Sequence, residues 1–459
     1  MSRTLIRGGT LLLPDESGRL RGEHGDLLIE NEHIVAVGDI GPDDGVPPDL
    51  PGASRTGEAD PPAVVDASDC AVLPGLVQSH VHLCQTLFRG AADDLPLLDW
   101  LRQRVWPLEA AHDPHSIRAS ARLAVAELLR SGTTAVQTME TVHHTEVALE
   151  VLAESGMFAV AGKCLMDDPE TSPAGLVEPT DVALRETVDL ASAWDGAAGG
   201  RLKYCLAPRF AVSCTDDLLR QVGKLASGLG LRIHTHASEN REEEALVEAR
   251  TGRRNVAYLD AVGCSGSHVG IAHCIWVNEA ETDLLARTGT HVLHCPSSNC
   301  KLGSGVAPVP HFLEAGVAVS LGADGAPCNN ALDIFREMRL AALLHKAGGD
   351  PEALPASTAL DLATRGGAKA LGWEDEMGAL VPGAWANVVV VDLQQLHTTP
   401  RHDLDSTLVY STRAGDIRDV WLAGRQVVED GRLTLWDEDG VRAEADEQAL
   451  KLYRRAGLL

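Results

Sequence analysis

Positive charge is what this 459-residue chain most lacks. Its 39 Lys and Arg face 66 Asp and Glu, a formal net charge of −27, and only seven of the 39 are lysines. Such an excess of negative charge repels phosphate backbones and anionic lipid surfaces, so neither nucleic acid nor membrane is an expected partner. Long apolar runs are missing as well. None approaches the roughly 20 residues that span a bilayer, and the opening Met1-Ser2-Arg3-Thr4-Leu5-Ile6-Arg7-Gly8-Gly9 has no apolar core of an export signal. The expected location is the cytoplasm. The ten cysteines form no CxxC pair and are scattered, so they read as reduced thiols packed as small hydrophobes. An acid-rich, lysine-poor composition fits either a salt-rich cytoplasm or a GC-rich genome.

What is present is globular. Apolar residues make up 44%, charged residues 23% and aromatics 4%, enough apolar content for a large core. The length suits one barrel-type domain of roughly 250–320 residues with a smaller companion. Leu27-Leu28-Ile29-Glu30 and Ile34-Val35-Ala36-Val37 read as short strands separated by the turn residues Asn31-Glu32-His33. Asp39 to Pro62, dense in Pro, Gly and Asp, reads as a surface loop. Near the other end, Ala386–Asp392 and Val420–Val428 are strand-like. Residues 1–70 and 385–459 are therefore expected to form one small composite β-sandwich with a C-terminal tail, around an α/β catalytic domain of residues 71–384.

That middle alternates. Apolar runs of strand length end near Val77, Thr138, Lys163, Ala207, His236, His273, His294 and Asp324, with helical periods such as Ile117–Leu129, Asp217–Leu229 and Glu279–Arg287 between them. Eight such units predict a (β/α)8 TIM barrel, whose chemistry sits at the C-terminal strand ends. Those ends carry suitable groups. The first reads Leu73-Pro74-Gly75-Leu76-Val77-Gln78-Ser79-His80-Val81-His82, and residues two apart on a strand share a face, so both histidines aim the same way. The fifth gives His234-Thr235-His236-Ala237-Ser238-Glu239, the sixth His273 and the eighth Asp324. Each alone reads most simply as a satisfied polar residue. Gathered on the strand ends of one barrel, three histidines and a carboxylate suit Zn²⁺, which takes imidazole and oxygen ligands and keeps a position open for water.

The motifs PGLVQSHVH, HTHASEN, the sixth-strand His273-Cys274 and LGADGAPCNN together resemble the amidohydrolase superfamily, in its mononuclear deaminase branch. The resemblance implies a metal-dependent aminohydrolase. It implies one divalent metal per subunit, zinc or iron, held by His80, His82, His236 and Asp324, with Glu239 as proton shuttle and His273 as the histidine that helps activate water. Asp324 is also implied as the group accepting a proton from that water. Binuclear relatives bridge two metals with a lysine at the end of the fourth strand. Here that strand, Lys203-Tyr204-Cys205-Leu206-Ala207-Pro208-Arg209, has its lysine at the start. His234, two residues deeper than His236, reads as structural.

Substrate choice rests on the surrounding stretches. Leu83–Leu101 and Val105-Trp106-Pro107-Leu108-Glu109 resemble the lid of methylthioadenosine and S-adenosylhomocysteine deaminases, which implies Glu109 as a ribose contact. Gln85, Arg209 and Phe210 resemble the base-reading set of guanine deaminases. CQTLFRGAADD, Glu140-Thr141-Val142-His143-His144, APRFAVSCT and HASENREE are most similar to 5′-deoxyadenosine deaminases, and a small or apolar 5′ substituent is expected. His143 and His144 read as a solvated loop. The expected reaction is deamination of an adenosine-type nucleoside; the alternatives are a guanine, aminopurine or pterin deaminase and a triazine chlorohydrolase of the N-ethylammeline type. The expected partner is a small purine nucleoside or base, and the expected assembly a homo-dimer or tetramer by analogy.

Overall fold

A computed structural model describes residues 2–16, 18–41 and 61–459. Most of the Asp39–Pro62 stretch read as a loop lies outside the described residues.

The eight expected barrel strands are all present: β1 (Leu76–Val81), β2 (Thr133–Met139), β3 (Phe158–Gly162), β4 (Leu202–Pro208), β5 (Arg232–Ala237), β6 (Val269–His273), β7 (His291–His294) and β8 (Val319–Leu321). They pair in sequence order, all parallel. The ring closes where Val81 bridges to Asp324, with the Asp324 N–H donating to the His80 carbonyl at 3.0 Å. β1, β2 and β3 are buried along their whole length, because helices cover the outside and side chains fill the inside.

The helices between strands begin and end where their sequences dictate. Helix Asp216–Leu229 starts at Thr215, whose side chain accepts from the Leu218 N–H, and stops at Gly230 with φ 70°. It buries Leu218, Leu219, Val222 and Ala226, one stripe at three- and four-residue spacing. Helix Glu279–Thr288 has an Asn278–Glu281 capping box and ends at Gly289, again left-handed. Helix Pro114–Arg130 starts on Asp113, which accepts from Ser116 N–H at 2.8 Å.

Strands from both ends of the chain join in a second, hydrogen-bonded sheet of nine strands. Its central Val388–Asp392 lies between Cys70–Pro74 and Ile417–Leu422, antiparallel to both. Cys70–Pro74 thus belongs to this sheet although it extends past residue 70. The four-valine run is explained by two-sided burial. Val389 and Val391 pack into the barrel core, whereas Val388 and Val390 pack with Ile6, Leu11, Leu27 and Trp421 in a core of the sheet's own. Val420–Val428, read as one strand, is instead a hairpin: Ile417–Leu422 and Arg425–Glu429 reverse at Ala423 and Gly424, both with positive φ. A Cβ on Gly424 would lie 1.7 Å from the Asn31 carbonyl oxygen, which is why this turn carries glycine. The C-terminal helix Glu438–Arg455 packs on the barrel helix Pro114–Arg130, with Arg455 3.0 Å from Asp113. No helix among the described residues is long and apolar enough to cross a membrane.

The seam between β8 and β1 tolerates no extra atom. A Cβ on Gly322 would sit 2.6 Å from the His80 carbonyl oxygen and 2.7 Å from its nitrogen. Gly322→Ala should therefore push β1 outward at His80, at an overpacking penalty of roughly 1–3 kcal/mol. Denaturant unfolding should show that loss, and metal content after dialysis should fall while the far-ultraviolet circular dichroism stays native.

Candidate active site

His80 and His82 leave β1 on the same side, and β5 supplies His236 opposite them. The Nε2 atoms of His80 and His82 each lie 3.3 Å from Asp324 Oδ1, and those of His82 and His236 are 3.4 Å apart. Ligand atoms of His80, His82 and His236 converge within 4.8 Å, as do those of His80, His273 and Asp324. All four expected ligands are thus brought together.

The hydrogen bonds around these rings decide what they can hold. His82 Nδ1 lies 2.8 Å from the Met139 carbonyl and His236 Nδ1 2.7 Å from the Arg209 carbonyl. A carbonyl only accepts, so both rings carry their proton on Nδ1 and present bare Nε2 lone pairs to each other. Two lone pairs at 3.4 Å repel unless a proton or a metal ion lies between them. His80 Nδ1 pairs with His234 Nε2 at 2.7 Å, and its fully buried Nε2 has no hydrogen-bond partner. The donor set therefore fits a divalent metal ion. His234 has the structural place expected of it, behind His80.

Electrostatics point the same way. Burial pushes His80 down to about 4 and His236 well below the usual imidazole value, so both stay neutral. His82 is also buried, but the Asp324 carboxylate outweighs that and raises it. Asp324 is held well below the carboxylate range: burial opposes its charge, and the facing His80 and His82 rings overcome that. Ser298 Oγ donates to Asp324 Oδ2 at 2.6 Å and Gly325 N–H to Oδ1 at 2.7 Å. Glu239 is pushed well up, first by burial and then by the Asp324 charge.

Glu239 follows β5 and faces His273, at the end of β6, with Oε2 3.4 Å from Nε2. His273 is oriented by Asn299, whose Oδ1 lies 2.8 Å from Nδ1. Ser238, His273, Cys274 and Asp324 all have positive φ, from 46° to 75°. Such backbone costs non-glycine residues roughly 1–2 kcal/mol each, and the strain sits at the turns that aim polar groups into the barrel mouth.

These groups form part of the wall of a cavity at the barrel mouth. Gln85, Arg209 and Phe210 line it, and Leu97, Trp100, Leu101 and Leu302 complete it. Glu109 does not reach the cavity. Its Oε2 accepts from Arg209 at 2.6 Å and its Oε1 from Gln85 at 2.8 Å, leaving it behind the wall at 2% exposure. His143 and His144 lie outside the lining; His143 sits 3.1 Å from the Gly175 carbonyl oxygen. Lys203, at the start of β4, bonds the Gly372 carbonyl and stacks over Trp373, away from the mouth. All ten cysteines are free and only Cys300 is exposed. Ser298, Asn299 and Leu302 went unread in the sequence; the polar Ser297-Ser298-Asn299 run just after β7 was the available signal.

The amidohydrolase family profile matches residues 71–427. The chain belongs to the amidohydrolase family. Among its relatives, a 5-methylthioadenosine/S-adenosylhomocysteine deaminase of Haloarcula marismortui is 39% identical over 460 residues, covering 100% of both chains. A 5′-deoxyadenosine deaminase of Methanosarcina mazei is 38% identical, covering 94% of this chain and 99% of its own. The crystal structure of an adenosine deaminase from Xanthomonas campestris with bound zinc superposes with TM-score 0.89 at 33% identity, covering 99% of each chain. The amidohydrolase barrel thus places its polar cluster in the same fold as a zinc-bound relative.

Two substitutions separate ligand from orienting group. His236→Ala should abolish metal retention, read as metal content after dialysis against a weak chelator. Asn299→Ala should keep the metal and lower turnover about 10- to 100-fold, the usual effect of losing an outer-shell partner.

Proposed function

We propose that this amidohydrolase deaminates an adenosine-type nucleoside with a small or apolar 5′ substituent, such as 5′-deoxyadenosine or methylthioadenosine, giving the inosine-type product and ammonia. The observation that carries this reading is the meeting of Glu239, His273 and Asp324 beside the convergent imidazoles on one cavity floor. Full-length relatives named for such nucleosides support it. In balance, water adds to the ring carbon bearing the amine, the carbon–nitrogen bond breaks, and the ring keeps a carbonyl.

His80, His82, His236 and Asp324 would hold one divalent zinc ion. When bound, it would lower the pKa of water from about 15.7 towards 7 and so supply hydroxide at neutral pH. Asp324 accepts a proton from the attacking water, and Ser298 and the Gly325 N–H fix its carboxylate for that task. Glu239 delivers its proton to the ring nitrogen next to the reacting carbon, making that carbon electrophilic; the proton Asp324 took from water passes to the departing amine, and the hydroxyl proton of the tetrahedral centre restores Glu239. His273 stabilises the developing tetrahedral centre, its ring fixed by Asn299. Phe210 stacks on the heterocycle while Arg209 and Gln85 bond its edge. Glu109 contributes by fixing those two side chains from behind the cavity wall. Leu97, Trp100, Leu101 and Leu302 offer the apolar contact a 5′ substituent needs. We place the enzyme in the cytoplasm.

Ammonia release from the zinc-loaded protein, with 5′-deoxyadenosine and guanine in parallel at equal low concentration, tests the reading. Turnover of the nucleoside with guanine inert is expected; the reverse overturns it. Glu239→Gln should keep its metal and lose most turnover.

A further inference from the structure

Two buried carboxylates next to the site take no part in the reaction above. Glu243 and Glu244 open the helix Arg241–Thr251 and are 1% and 6% exposed. Both reach backward, towards the turn that carries Glu239.

Glu243 does more than cap its own helix. A capping box needs only the contact to the Asn240 N–H, which Glu243 Oε2 makes at 3.3 Å. The same oxygen takes a shorter bond, 2.8 Å, from the Glu239 N–H one residue further upstream. Its other oxygen accepts from Asn255 Nδ2 at 2.5 Å, tying it to the helix Asn255–Ala261 that leads towards β6. Three N–H groups thus compensate one buried carboxylate without a partner cation. Glu244 holds the preceding residue. Ser238 Oγ donates to its Oε1 at 2.5 Å, while Arg254 lies 3.3 Å from Oε2 and braces it against Glu281.

The segment they grip is a strained one. Ser238 has φ 55°, and its carbonyl accepts from both Ile275 and Trp276 N–H at 2.8 and 2.9 Å. Those residues directly follow His273 and Cys274, so the turns bearing Glu239 and His273 are bonded to each other. With the Glu239 amide pinned, only its side-chain rotations separate the backbone from the carboxyl that faces His273.

We propose that Glu243 is a positioning residue for Glu239, fixing its backbone amide so that the carboxyl reaches the reacting ring, with Glu244 bracing the turn through Ser238. The inference rests on the role given above to Glu239. A displacement of about 1 Å in such a group lowers rate on the order of 100-fold, whereas a helix-capping role alone changes stability.

A double-mutant cycle separates these. Glu243→Gln is isosteric and keeps one accepting oxygen; Glu243→Ala keeps none. Expected are a fall in kcat of about 10-fold for Gln and about 100-fold for Ala, in line with the loss of orienting partners. KM should stay within about 3-fold and metal content should be unchanged. In a Glu239→Gln background the further loss on Glu243→Gln or Glu243→Ala should shrink below about 2-fold, since residues acting as a unit are not additive. Equal losses in both backgrounds would overturn the proposal, as would unchanged kcat, or a rise in KM or loss of metal in place of the kcat effect. Should Glu243→Ala not fold, the isosteric Gln variant carries the cycle. A fully active Glu239→Gln protein overturns the role of Glu239 and this inference together; an inactive Glu239→Gln beside fully active Glu243 variants overturns this inference alone.

Discussion

At the seam between β1 and β8, a backbone bond from Asp324 to the His80 carbonyl closes the barrel and sets the catalytic floor in the same step. The closure carries a carboxylate across to two imidazoles 3.3 Å away, and Gly322 permits the approach because a side chain there would meet the His80 backbone. Opposite the seam, carbonyls of Met139 and Arg209 fix the protons of His82 and His236 on Nδ1. Bare lone pairs are thereby aimed at one another at the floor of the barrel mouth. The arrangement is unfavourable by itself, and a divalent cation makes it favourable.

The surrounding polar groups follow from that buried floor. Charges buried this deeply must be paired or richly hydrogen-bonded. Arg209 and Glu109 meet that demand as an ion pair in the cavity wall, and Glu243 meets it with amide donors alone. The strain at Ser238, His273 and Asp324 belongs to the same design, since each strand must turn sharply to present its end group. The sheet from the two chain termini supplies the rigidity, because one face of Val388–Asp392 packs directly into the barrel core.

Chain chemistry alone settled several features. Alternation of strand-length and helix-length apolar periods specified eight βα units, since burial on both faces forces continuous apolar strands and helices need a single stripe. The two-residue spacing of His80 and His82 fixed their shared face, because strand geometry allows nothing else. Family motifs extended this to His236, Asp324, Glu239 and His273, all of which meet at one mouth. The hairpin at Ala423-Gly424 was missed because neither Asn-Gly nor Asp-Gly marks the turn between its two short strands.

Only tertiary structure decided which nitrogen of each histidine faces the centre, for that depends on carbonyls supplied by other strands. It alone showed Glu109 turned to Arg209, a residue 100 positions away, in place of a position on the cavity surface. It alone recruited Asn299, Ser298 and Glu243, ordinary polar residues whose value comes from what they touch. Local periodicity fixes the face a side chain occupies. The partner it meets there is set by long-range closure of the barrel, which no short stretch of sequence encodes.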